Sequence, residues 1–380
     1  MAAYFDPDAC DLAQFKALTS RTLDPAHVPL AADIAKNAPI YDMANLSGHL
    51  EDPKRRRILM AEWAQGLQHG AGIVVLKNAY ADTAPIDAAT QVYNDVIAEE
   101  KQASGSGADH FSAAGNNDRV WNSLQKLCLR APAVFAAYFA NTAIEAVCEA
   151  WLGPNYQMTA QVNLVRPGGG AQLAHRDYHL GFQTAETSAQ YPAHVHDLSP
   201  ALTLQGAVAH TDMPVESGPT KLLPFSQTYA AGYAAWRRDD FRAYFEESYV
   251  QLPLSKGDAL FFSPALFHGA GANSSKDVHR MANLLQVSSA FGRAMESIDR
   301  TAMCKAVYSE MTKLTGAHRR AAIAACAEGY AFPTNLDLDP PVGGLAPQTQ
   351  AALFHAALDA RWSAQDFAAA LDAQAVRQRA

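Results

Sequence analysis

What most restricts the fold is a run of short apolar strands between about residues 155 and 291, cut by glycine and proline. YQMTAQVNLVRPGG (156–169) alternates apolar and polar side chains, and ALTLQGAVAHTDM (201–213) does so less strictly. SYVQLPL (248–254), GDALFFSPALFHG (257–269) and RMANLLQVSSAF (280–291) continue the series, with one helix expected over 228–247. Period-2 alternation with turn residues between strands predicts an antiparallel sandwich or barrel rather than alternating βαβ units.

The flanks read as helices. Ile58, Leu59, Trp63 and Leu67 recur at helical spacing over 55–68, GIVVLKN from Gly72 reads as a buried strand, and further helices are expected over 86–102 and 131–152. SGSGADHFSAAGNNDR (104–119) has no periodicity and is expected to be a mobile loop. Beyond Met295 the chain is alanine-rich and helical, broken near FPTNLDLDPPVGG, and Ser363 with Asp366 forms a capping box before a last amphipathic helix. The expected organisation is an N-terminal extension over 1–54, a strand-rich domain over 55–294 and a helical extension over 295–380. That last part is expected to pack on the core or to make a subunit contact in a homo-oligomer.

Charge narrows the partners. Lys and Arg number 30 against 38 Asp and Glu, a formal charge of −8, and no dense basic run is present, which argues against nucleic acid and anionic membranes. No window supplies a continuous apolar span of membrane length. MAAYFDPDACDLAQF does not read as a secretory signal, and the five scattered cysteines form no CxxC pair. Reduced thiols and a cytoplasmic location are the expectation.

In LAHRDYHLGF (173–182), His175 and Asp177 stand at i and i+2, on one face of an extended chain and roughly 6.5 Å apart. An imidazole and a carboxylate at that spacing suit one metal ion. His268, at the end of an apolar strand and followed by Gly269 and Gly271, supplies a third candidate ligand. Two histidines and one carboxylate form the facial triad of non-haem Fe(II) oxygenases, which leaves coordination positions open. Arg280 opens the next strand, and its guanidinium suits a carboxylate clamp in a buried place.

HRD (175–177), FFSPALFHGAGANSS (261–275) and Arg280 resemble the phytanoyl-CoA dioxygenase family of Fe(II)- and 2-oxoglutarate-dependent oxygenases. GIVVLKNAY (72–80) and ESGPTKLLPFSQTY (216–229) are similar to two further family segments, with Phe225 and Gln227 departing from the usual Gly and His. The resemblance spans roughly 55–291. It implies a mainly β core with flanking helices, a double-stranded β-helix (jelly roll, cupin-like) with helical N- and C-terminal elaborations. It also implies Fe(II) on His175, Asp177 and His268, 2-oxoglutarate chelating the iron with its distal carboxylate on Arg280, and O2 as the second co-substrate. Succinate, CO2 and a hydroxylated small molecule would result. Asp177 stands where related halogenases carry a small residue, so hydroxylation, desaturation or ring formation is favoured over halogenation.

Gln161 and Asn163 share a strand face, and one of them is expected on the co-substrate. His179, on the ligand face if the strand continues, is a substrate-side candidate, with Tyr178 ranked below it. Arg119 and Trp121 could meet an anionic or planar substrate. His194, His196 and Asp197 form a rival metal candidate in a loop-like setting, whereas His210 and His279 are read as ordinary polar residues. A zinc hydrolase on the same triad, or a non-catalytic ligand-binding member of the fold, are the alternatives to the oxygenase.

Overall fold

The computed structural model describes residues 3–104 and 116–379. Ten strands among them build an eight-stranded sheet and a small two-stranded one. The strands are β1 (Asp33–Ala35), β2 (Ala38–Asp42), β3 (Ile73–Lys77), β4 (Asn117–Val120) and β5 (Gln157–Val165). They continue with β6 (Thr203–Ala209), β7 (Lys221–Leu222), β8 (Ala259–Phe262), β9 (His268–Gly269) and β10 (Arg280–Ser288). The large sheet runs β1-β2-β3-β8-β6-β10-β5-β4, and β7 pairs with β9. Only the β2–β3 ladder is parallel, so the architecture is a mixed sheet with flanking helices.

Strand alternation divides this sheet into two faces of different chemistry. On the outer face, Met158, Ala160 and Val162 of β5 and Met281, Leu285 and Val287 of β10 join the main apolar core, where helices cover them. The inner face splits in two. Ile73, Val75, Leu260 and Phe262 with Ala207, Ala209 and Ala282 form a second apolar cluster, whereas Gln157, Thr159, Gln161 and Asn163 of β5 lie opposite Ser288, Gln286, Leu284 and Ala282 of β10.

The helices follow local signals, with three differences from expectation. Pro53–Gln68 starts at Asp52, whose carboxylate accepts from Lys54 N and Arg55 N. The helix expected over 131–152 is two, Pro132–Phe139 and Thr142–Leu152, because Asn141 caps the second by accepting from Ala143 N and Ile144 N. The helix expected over 228–247 is likewise divided into Gly232–Ala235 and Asp239–Ser248. Of the expected loop at 104–119, residues 105–115 lie outside the described residues, and Asn117–Val120 is an edge strand on β5.

Near the N-terminus, β1 and β2 extend the large sheet beyond β3. At the other end, the helices Arg300–Met311, Gly316–Cys326, Gln350–Asp359 and Ala364–Gln378 pack into the main core through Met303, Val307, Tyr308, Ile323, Phe354 and Phe367. Ser363 caps the last of them, accepting from Asp366 N at 3.1 Å. All five cysteines are buried and free. Among the described residues no helix is long and apolar enough to cross a membrane.

Candidate metal centre

His175 and His268 are held side by side by their own backbones. His175 N donates to His268 O at 2.9 Å, and His268 N returns a bond to His175 O at 3.1 Å. Asp177 N donates to Pro264 O at 3.0 Å, so the next inward side chain arrives beside the pair. Asp177 Oδ1 lies 3.7 Å from His175 Nε2 and Oδ2 lies 3.4 Å from His268 Nε2. The ligand atoms of the three residues fall within 4.8 Å of one another, the only such group of three among the described residues.

Both imidazoles are oriented by the same device. His175 Nδ1 bonds Leu173 O at 2.8 Å, and His268 Nδ1 bonds Leu266 O at 2.8 Å, each two residues back along the chain. A carbonyl only accepts, so each Nδ1 carries the proton and each Nε2 turns a lone pair toward the group. Burial lowers the His175 pKa and favours its neutral form. Burial works to raise the Asp177 pKa, but attraction to His175 and His268 in their protonated forms, with an amide from Gln205, outweighs it and holds the carboxyl below the usual range. The set at neutral pH is one carboxylate with imidazole nitrogens, the donor chemistry of a divalent transition metal.

Gln205 on β6 donates its Nε2 to Asp177 Oδ2. Its cross-strand partner is Gln286 on β10, whose Oε1 accepts from the Tyr178 hydroxyl. The row also includes Phe262, whose ring centroid lies 4.8 Å from that of His268. The donor group thus sits over the row Phe262, Gln205 and Gln286.

Strand alternation ends at Asp177, which corrects the expected places of its neighbours. Tyr178 has φ 61° and ψ 151°, a region that side chains normally avoid, and His179 has φ 38°. This twist turns the Tyr178 hydroxyl inward onto Gln286 and leaves His179 at the start of a short turn, His179–Phe182, with Nδ1 3.4 Å from Ser199 Oγ. Tyr178, not His179, takes the inward direction. Arg176 points away from the group and is buried: its Nη2 donates to Ser226 O at 2.6 Å and Tyr229 O at 3.1 Å.

Arg280 starts β10 and is 7% exposed. Its Nη1 donates to Ser217 O at 3.0 Å and Gly271 O at 3.2 Å, and no carboxylate pairs with it among the described residues. Burial alone lowers its pKa to about 10, so the cation persists. Asn163 and Gln161 share the inner face, and Arg119 on β4 lies opposite Asn163 and donates to Gln161 Oε1 at 2.9 Å. Trp121 stands by Arg119, whose guanidinium is 5.2 Å from its ring centroid.

The rival group does not assemble. His194, His196 and Asp197 lie on the helix Ala193–Ala201, and His196 is buried with Nε2 on Ser188 O at 3.0 Å. His210 is buried between Thr90 Oγ1 at 2.8 Å and the Tyr138 hydroxyl at 2.9 Å, and His279 is exposed. Gln205 and Gln286 are not legible in the sequence as site residues, and Tyr178 ranks there below His179. The alternation around Gln205 was visible, but not which phase of the strand faces inward.

Residues 60–282 match the family model described as phytanoyl-CoA dioxygenase (PhyH). The chain belongs to that family. Among curated proteins it is similar to the dioxygenase andF of Emericella variicolor, 29% identical over 144 residues that cover 36% of this chain and 44% of that protein. It therefore spans less than half the length of that relative. It is also similar to the dioxygenase trt7 of Aspergillus terreus, 26% identical over 221 residues, 57% of this chain and 69% of that protein. Among solved structures, the non-heme alpha ketoglutarate dependent carbocyclase SnoK from nogalamycin biosynthesis aligns with 67% of this chain and 90% of its own, at 18% identity and a TM-score of 0.45.

Proposed function

We propose that the chain is an Fe(II)- and 2-oxoglutarate-dependent dioxygenase that hydroxylates a small molecule, on a core of the double-stranded β-helix, cupin-like kind. The observation that carries this reading is the donor set of His175, Asp177 and His268, with both imidazoles fixed to present Nε2. Family membership supports it, as do the two curated relatives that are dioxygenases.

The residues fit both groups that the reaction needs. Two imidazole nitrogens and one carboxylate suit a ferrous ion and leave positions for other ligands. Among the described residues Arg280 has no carboxylate partner; its buried guanidinium, held through Nη1 by two carbonyls, suits the distal carboxylate of 2-oxoglutarate. Between Arg280 and the donor group the inner face carries the small side chains of Ala282, Ala207 and Ala209. When bound, iron and 2-oxoglutarate supply the oxidising chemistry, consuming O2 and releasing succinate and CO2.

The chain's own residues bind, orient and exclude water. Gln205 holds the Asp177 carboxylate so that it stays ionised and fixed in direction. The apolar cluster of Val75, Leu260, Phe262 and Leu284 keeps the chamber dry, which strengthens the Arg280 ion pair. Gln161 and Asn163 serve as further polar contacts to the co-substrate, with Arg119 bracing Gln161.

Anaerobic addition of Fe(II) and 2-oxoglutarate tests the reading. The expected result is a weak visible charge-transfer band that Asp177→Ala abolishes, and succinate release in air. Tightly retained zinc, with neither band nor succinate, would instead mark a hydrolase on the same triad.

A further inference from the structure

Among the described residues, Arg237 and Arg242 have no carboxylate within ion-pair distance, and both stand beside the metal-ligand loop. The short helix Gly232–Ala235 docks on that loop: the Tyr233 hydroxyl donates to Asp177 O at 3.3 Å, and just beyond the helix Arg237 Nη2 donates to Gly181 O at 3.1 Å. The next helix, Asp239–Ser248, leans on the other ligand segment, with the Phe241 ring centroid 6.5 Å from that of Phe267, the residue before His268. Arg242 follows Phe241. Burial is the chief cause of the lowered His175 pKa, and the Arg242 charge adds to it, so this guanidinium lies within electrostatic reach of the donor group.

Both guanidiniums lie against one ring. Arg237 Cζ is 3.8 Å from the Trp236 ring centroid and Arg242 Cζ is 5.4 Å from it, with Trp236 itself buried. Burial and then the Arg242 charge lower the Arg237 pKa, and the exposed Glu186 carboxylate acts in the opposite direction. Arg238, between them in sequence, is satisfied: its Nε donates to Asp240 Oδ1 at 3.0 Å and its Nη2 to Asp240 Oδ2 at 2.6 Å. Arg237 Nη1 and Arg242 Nε are enclosed without partners. The two terminal nitrogens of Arg242 are neither enclosed nor bonded among the described residues, so its fork faces accessible space.

Like charges held against one ring repel each other, and an anion beside them removes that cost. An arginine fork with both terminal nitrogens free matches a carboxylate through two parallel hydrogen bonds. Glu186 offsets part of the Arg237 charge, which suits a singly charged carboxylate better than a doubly charged phosphate. We propose that Arg242 binds a carboxylate carried by the organic substrate, with Arg237 attracting it through its charge and not by contact. This group is distinct from the distal carboxylate of 2-oxoglutarate, which is assigned to Arg280. Placing the carboxylate on the substrate rests on the dioxygenase reading, whereas the binding itself does not.

The test is a thermal-shift screen of the full chain, without iron or 2-oxoglutarate, against benzoate, phenylacetate, hexanoate and N-acetylphenylalanine, each paired with its amide. Calorimetry follows on the strongest. The expected result is saturable binding of at least one acid about tenfold or more tighter than its amide. Arg242→Gln should abolish that preference, and Arg237→Gln should reduce it. A purely structural loss weakens acid and amide alike, so the ratio of the two affinities reads the charge. If Arg242→Gln does not fold, protection of Arg242 from phenylglyoxal by the bound acid, read by peptide mass, decides the point. No acid favoured over its amide overturns the proposal, as does a preference unchanged in Arg242→Gln, or tighter binding of phenyl phosphate than of benzoate. In air with Fe(II) and 2-oxoglutarate, the bound acid should raise succinate release, and less so in Arg242→Gln. Failure of the dioxygenase reading shows separately, as no succinate under any condition with the binding preference intact.

Discussion

The Asp177 carboxylate meets both imidazoles, Oδ1 toward His175 and Oδ2 toward His268, and Oδ2 also accepts from the Gln205 amide, which helps fix its direction. Replacing Gln205 with leucine keeps the side-chain volume and removes the donor. Fe(II) affinity should fall by about 10- to 100-fold, the usual effect of losing such a supporting bond, as read by competition with a chromogenic chelator. Arg280 acts on the co-substrate instead. Arg280→Gln removes a buried charge partner and should cost roughly 2–4 kcal/mol, seen as a KM for 2-oxoglutarate raised ~30-fold or more. The metal-ligand candidates and Arg280 were readable because their pattern is local or motif-like: i and i+2 for His175 and Asp177, and a strand end for His268. Gln205 was not, because it acts across 28 positions of sequence, and Tyr178 ranked below His179 because its inward turn depends on a positive φ.

At the level of elements, the segment after Asp177 shows where period-2 reasoning stops. Tyr178 and His179 leave the extended region, and Gly181 N closes the turn onto Tyr178 O at 2.6 Å. A Cβ on Gly181 would lie 2.1 Å from Arg176 O, a backbone atom that cannot swing aside. Gly181→Ala should therefore destabilise the fold by about 1–3 kcal/mol and displace Asp177, lowering both the urea midpoint and Fe(II) affinity. Helix content was legible from apolar spacing, whereas helix boundaries were not. Asn141 ends one pattern by capping the next helix, a choice that apolar periodicity does not register.

For the whole molecule, the sheet is a partition. Its outer face and the helices form one large apolar core, and its inner face carries a second, smaller apolar cluster beside the polar row of β5. His210 lies within the packed region, between Thr90 and Tyr138, and burial lowers its pKa to about 3. An unfolded imidazole titrates near 6.5, so above that pH neither state gains a proton. Below it the unfolded chain takes up a proton that the folded chain refuses, and stability falls until pH reaches the folded value. Unfolding free energy should drop by about 2 kcal/mol from this residue between pH 7 and pH 5. Denaturant titrations at the two pH values check this, and His210→Gln should remove that share of the difference. His175, His179, His196 and His355 are shifted in the same direction by burial and add to the wild-type slope.

By itself the sequence pointed to β3, β5, β6, β8 and β10, to the helical flanks, and to three side chains with metal-ligand chemistry. These are local properties, set by side-chain alternation, apolar spacing and residue type. β1, β2 and β4 were not read from the sequence, and 248–254, expected as a strand, makes only isolated bridges at Val250 and Leu254. Only the tertiary structure decided which face of each strand looks inward, and that choice placed Gln205 and Gln286 under the donor group. It also brought Glu296 and Arg300, from beyond the family-matched region, beside Gln157 at the start of β5. Facing and closure depend on register between distant strands, which no single segment encodes.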